Sequence, residues 1–149
     1  MRTLFLILLT TFVFSAVHAQ TKPSDADRQA ITQTALDYVE GWYEANPERM
    51  ERALHPDLAK RVVFTDQKGR SRLEQMSAMG LVQGVKRGGG KDIPKENQQK
   101  DITILDVFEN AASVKAVMSG WIDYMHIAKV NGRWVIVNVL WELKPRPAQ

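Results

Sequence analysis

Apolar residues recur at helical spacing early in the chain and at every second position late in it. Ile31, Ala35, Tyr38, Val39 and Trp42 make one apolar face of about four helical turns, widened by Leu36 and Tyr43. Ser24 followed by Asp27 forms a capping pair that starts this helix, and Asn46-Pro47 stops it near Ala45. The same dipeptide opens a second helix, with Asn46 as cap, Pro47 in the first turn and Met50, Ala53 and Leu54 as its apolar face. His55-Pro56 ends it, and Arg61–Thr65 reads as a short strand before a polar turn at Asp66–Gly69. Ser71 with Glu74 is a second capping pair, which predicts a third helix through about Gln83, with Leu73, Met76, Met79, Leu81 and Val82 as its apolar side.

Residues 84–100 are rich in Gly, Lys and Gln and predict a mobile loop. Beyond them the period becomes two. Asp101–Phe108, Ala112–Gly120, Trp121–Val130 and Arg133–Leu143 read as strands, with Asn131-Gly132 a strong two-residue hairpin turn. The tail 144–149 contains Pro145 and Pro147 and should leave the sheet. Helices first and an antiparallel sheet after them predict an α+β fold with the helices on one sheet face. A two-residue turn would set Ala128 opposite Val135, His126 opposite Val137, Tyr124 opposite Val139 and Ile122 opposite Trp141. The other face would then pair Ile127 with Ile136, Met125 with Asn138, Asp123 with Leu140 and Trp121 with Glu142. Both faces are largely apolar in that register, so the face away from the helices needs cover, most simply a second copy of the chain, with the long loop before the late strands as the alternative.

The 149 residues are 44% hydrophobic and 25% charged with a net charge of +3, which is one domain's length and a globular composition. That small surplus gives no electrostatic case for nucleic acid. The absence of cysteine excludes disulfides, thiolate metal sites, a cysteine nucleophile and lipoprotein attachment. Residues 1–19 carry Arg2, an apolar stretch from Leu4 to Val17 and Val17-His18-Ala19, the three parts of a cleaved export signal in order. The stretch is shorter than the ~20 residues that span a bilayer, which weighs against the alternatives of an anchor or a core helix. The expected mature protein is a single domain, 20–149, periplasmic or secreted and free of the membrane.

Leu36-Asp37-Tyr38-Val39-Glu40-Gly41-Trp42-Tyr43-Glu44, its continuation Glu48–Arg61, Asp123-Tyr124-Met125-His126 and the closing Gly132–Glu142 together resemble the putative lumazine-binding family. This family belongs to the nuclear transport factor 2-like superfamily, which includes ketosteroid isomerases and polyketide cyclases. The resemblance implies a cone-shaped, strongly bent antiparallel sheet wrapped around the first helix, with a cavity at the wide end and a homodimer through the outer sheet face. It fixes no reaction, since one scaffold hosts catalysts and inert binders alike.

The residues themselves offer several chemistries. His55 and His126, with Asp57 or Asp123, lack any recognised metal-ligand spacing, so no metal and no cofactor are expected. Gly88-Gly89-Gly90-Lys91 falls short of a phosphate loop, because Val85 replaces the first glycine and Asp92 the Ser/Thr. No G-x-S-x-G motif supports a serine nucleophile. What remains is a group in an enclosed cavity whose proton affinity is shifted by desolvation. Asp123, among Trp121, Met125 and Asn138, is the first candidate; its structural alternative is a paired carboxylate held by Asn138 or by a base. His55 is the second, and helix capping is its alternative. Tyr38 and Trp42 supply aromatic surface, and Tyr124, His126 and Trp141 are expected on the opposite, dimer-forming face. The favoured reading is a binder of a small planar or apolar molecule, contacted by Trp121, Asp123, Asn138, Met125, Tyr38, Trp42 and His55. An isomerase-, cyclase- or dehydratase-like enzyme and a dimeric scaffold with a filled cavity are the rivals.

Overall fold

A computed structural model describes residues 23–145, so the expected leader 1–19 and the end of the tail lie outside the described residues. Helix α1 (Asp25–Tyr43) begins at Ser24, whose hydroxyl oxygen accepts the Asp27 N–H at 3.1 Å. Helix α2 (Pro47–Ala53) begins at Asn46, whose side-chain oxygen accepts the Arg49 N–H at 2.9 Å. The two helices cross closely at Gly41, where a Cβ would stand 2.9 Å from the Met50 nitrogen. Asp37 locks the crossing by accepting from Arg49 at 2.9 Å and from Arg52 at 3.0 Å. Burial alone would raise the Asp37 carboxyl, but the bonds from Arg52, Arg49 and Gln33 outweigh it and hold the group below its usual range.

The six strands β1 (Leu54–Thr65), β2 (Ser71–Ser77), β3 (Lys100–Phe108), β4 (Ala111–Met118), β5 (Trp121–Val130) and β6 (Arg133–Leu143) form one sheet in the order β2-β1-β6-β5-β4-β3. All pairs are antiparallel except β1 with β6, which run parallel, so the sheet is mixed where an antiparallel one was expected. Together with three helices this is the expected α+β class. Ile31, Val39, Val114, Met125, Ile127, Ile136 and Val139 are buried in the core.

The helix predicted from Ser71 is instead strand β2. Asp66 accepts the Lys68 and Arg70 backbone N–H groups, Gly69 takes a φ of +75°, and the chain turns back to pair Ser71 with Thr65 and Gln75 with Arg61. The pull of a strand edge at Arg61–Thr65 outweighs a local capping pair. Helix α3 (Ala78–Lys86) starts seven residues' worth of strand later, capped by Ser77, whose hydroxyl accepts the Gly80 N–H at 3.2 Å. Its buried face is Ala78, Leu81, Val82 and Val85.

Residues 84–100 contain the end of α3, a glycine turn and a short 3-10 helix at Lys95–Asn97. The turn lies flat against Trp42, since a Cβ on Gly90 would stand 2.4 Å from the indole Cδ1.

The final hairpin follows the expected register from Val130–Arg133 to Ile127–Ile136 and then changes. A bulge at Val137 sets His126 opposite Asn138, Met125 opposite Val139 and Asp123 opposite Trp141. One extra residue swaps the faces of everything beyond it on β6. Asn138 therefore leaves the helix side, and Trp141 joins it.

Candidate functional site

Several side chains hold α1 to the sheet and to the segment leading into β3. Asp27 accepts from Lys129 at 2.8 Å and from the Trp134 indole N–H at 2.9 Å. Thr34 donates to the Trp134 carbonyl at 3.0 Å, and Tyr43 donates to the Gln99 carbonyl at 2.9 Å. Between them, Tyr38 donates to Asp123 Oδ2 at 3.0 Å. Residues spaced by helical turns thus land on successive points of the sheet, and Tyr38 is placed over the middle of β5.

Asp123 is fully buried and is met by three donors. Lys60 Nζ donates to Oδ1 at 2.7 Å, while Tyr38 and the Trp121 indole N–H (3.2 Å) share Oδ2. Lys60 also donates to the Tyr38 oxygen at 2.8 Å, closing a triangle. Its ammonium lies 4.9 Å from the Trp141 ring centre and 5.5 Å from that of Tyr38. Burial pulls the Lys60 ammonium below its usual range, with the Asp123 charge and hydrogen bond opposing. Burial, the Asp123 charge and their hydrogen bond push the Tyr38 phenol well above its usual range, so it is a donor at neutral pH.

Above this triangle opens a cavity of about 210 Å³. Its walls are Trp42, Trp121 and Trp141 with Met76, Leu81, Met118 and Leu143, and Tyr38 and Lys60 border it. Trp42 and Trp121 meet edge to face, 5.8 Å between centres and 89° between planes. The glycine turn backs Trp42, whose indole N–H is buried without a protein partner among the described residues. At well under the ~300 Å³ of drug-sized sites, the cavity admits only a small guest.

Of the residues singled out from sequence, Tyr38, Trp42 and Trp121 line the cavity and Asp123 lies behind it. Met125 is buried but not part of the lining. Asn138 is displaced by the bulge to the opposite face, where it accepts from Arg61 at 3.2 Å and contacts His126 at 3.3 Å; it makes no bond to Asp123. Trp141, expected on that opposite face, lines the cavity instead. His55 lies elsewhere. Its Nδ1 accepts the Asp57 N–H at 3.2 Å, and it borders an open groove of about 780 Å³ with Arg52, Arg133, Met79 and Val135.

Lys60 was missed. It stands just before the predicted strand Arg61–Thr65, inside the longer observed β1, and a lysine carries no local sign that it will be buried.

Compared with solved structures, the chain is 19% identical to a protein of unknown function from Shewanella baltica OS155, described as NTF2-like, covering 85% of this chain and 100% of that one with a TM-score of 0.62. A second NTF2-like protein of unknown function, from Methylobacillus flagellatus KT, is 24% identical over 83% of this chain and 97% of its own, with a TM-score of 0.64. A domain from Exiguobacterium sibiricum 255-15, described as a putative Ca/calmodulin-dependent kinase II association domain, is 19% identical over 87% and 99%, with a TM-score of 0.56. At these identities the likeness is one of fold. No curated protein matches the chain. Its sequence matches the family described as "Putative lumazine-binding" over residues 26–142, which includes nearly all of the first helix, Lys60, Asp123 and Trp141, and the chain belongs to that family.

Proposed function

We propose that this is an exported protein that binds one small, flat molecule in the cavity above Asp123, without turning it over. The observation that carries the reading is the cavity of about 210 Å³, walled by three tryptophans and bordered by a buried lysine and tyrosine. Such a space is mostly apolar, with a few convergent polar atoms to orient a guest. A catalytic base needs a free lone pair pointing at its substrate. Asp123 has three donors on its two oxygens and no exposed surface, which favours a positioning role. Exposed Tyr124, Leu140 and Val63 on the far sheet face support a homodimer formed through that face, and residues 1–19 support export.

Native mass spectrometry of the protein recovered from the cell exterior or periplasm of its source tests all three parts. A dimer, lacking residues 1–19 and carrying a small-molecule mass that is lost on denaturation, is the expected result. Full-length, empty monomer retained in the cytoplasm would overturn the proposal.

A further inference from the structure

The polar groups at the cavity restrict what kind of molecule it accepts. Lys60 has three N–H donors, and two are spent on Tyr38 and Asp123. Among the described residues the third has no oxygen or nitrogen acceptor, although the Lys60 side chain is only 6% exposed and borders the cavity. An ammonium so enclosed gains from a further acceptor.

An anionic guest reaching that proton would stand beside Asp123, whose carboxylate is 2.7 Å from the same nitrogen. The Lys60 charge is already matched by Asp123, so a second carboxylate would be desolvated with no cation left to pair it. A cationic guest is excluded by the opposite neighbour. The Tyr38 and Trp141 faces already hold the Lys60 ammonium at 5.5 and 4.9 Å, and a cation placed over Trp42 or Trp121 would be desolvated in the same cavity as that ammonium, with the Asp123 carboxylate already paired. The remaining class is neutral.

Resting on the binding role above, we infer that the ligand is an uncharged, flat ring compound that presents a hydrogen-bond acceptor, a carbonyl oxygen or ring nitrogen, to Lys60 Nζ. The ring lies among Trp42, Trp121 and Trp141, and the acceptor points to the triangle beneath.

Isothermal titration with four probes of similar size tests this: acetophenone, ethylbenzene, benzoate and benzylammonium. Acetophenone is expected to bind at least about tenfold more tightly than each of the others, the worth of one hydrogen bond to a charged donor. In the double variant Lys60→Met/Asp123→Asn, which removes the charge pair together and keeps a carbonyl for Tyr38 and Trp121, acetophenone and ethylbenzene should bind alike. Equal binding of ethylbenzene and acetophenone to the wild type, or tighter binding of either ion, overturns the inference and leaves the binding role standing. Failure of all four probes, together with an empty protein from the source, overturns both. Should the double variant not fold, the wild-type ranking decides alone.

Discussion

The groove beside His55 has about 780 Å³ and the cavity beside Lys60 about 210 Å³, yet the buried charge pair belongs to the smaller space. The groove is bordered by Glu48, Glu51, Arg52 and Arg133, charges that remain in reach of water, and its histidine is bonded to a neighbouring backbone N–H. The cavity has few polar atoms, but they are dry and joined to one another. Volume measures how much can enter; desolvated, mutually oriented polar groups decide whether what enters is recognised. On the proposed reading, the smaller space is therefore the binding site.

Breaking the charge pair should have the largest effect. Lys60→Met leaves Asp123 buried and unpaired and is expected to cost about 3–5 kcal/mol of stability, read by chemical denaturation. Lys60→Met/Asp123→Asn should recover most of that loss, because no lone charge stays behind. Next comes Gly90→Ala. Its Cβ would overlap Trp42 from a backbone at φ +79°, and about 1–3 kcal/mol should be lost, with weaker probe binding as the indole shifts.

Acid should then loosen α1 from the sheet. The Asp27 carboxyl is lowered from 3.8 to about 2, first by the hydrogen bond from Lys129, then by those from Trp134 and Ser24. Because the folded value is the lower one, its stabilisation is complete above 3.8 and is lost as pH falls through about 2. Lys129→Met should narrow that window, moving the acid unfolding midpoint upward. On the groove side, His55→Ala should change stability by no more than about 0.5 kcal/mol and leave cavity binding untouched.

The same contrast shows what the sequence could and could not disclose. The caps of α1 and α2, the Asn131-Gly132 turn and the four late strands rest on local rules, and each is where those rules put it. Ser71–Ser77 was legible only in part. The Asp66–Gly69 turn was visible, but the strand edge awaiting a partner was not, and the capping pair at Ser71 spoke for a helix. The bulge at Val137 has no glycine or proline to announce it, so the alternation was carried straight through and exchanged Asn138 with Trp141. Aromatic Tyr38, Trp42 and Trp121 were found because helix and strand periods aim them inward. Lys60 was not, since its burial depends on a carboxylate far along the chain and on a parallel pairing of β1 with β6.

Two single substitutions test the cavity against the groove most directly. Leu143 is an exposed residue at the cavity wall, and Met79 is an exposed residue of the groove. Leu143→Trp should close the cavity, whereas Met79→Trp should fill the groove and leave the cavity open. Native mass spectra of the two variants, purified alongside the wild type, are expected to show the small-molecule mass retained with Met79→Trp and absent with Leu143→Trp. Loss of the bound mass with Met79→Trp and its survival with Leu143→Trp would contradict the account.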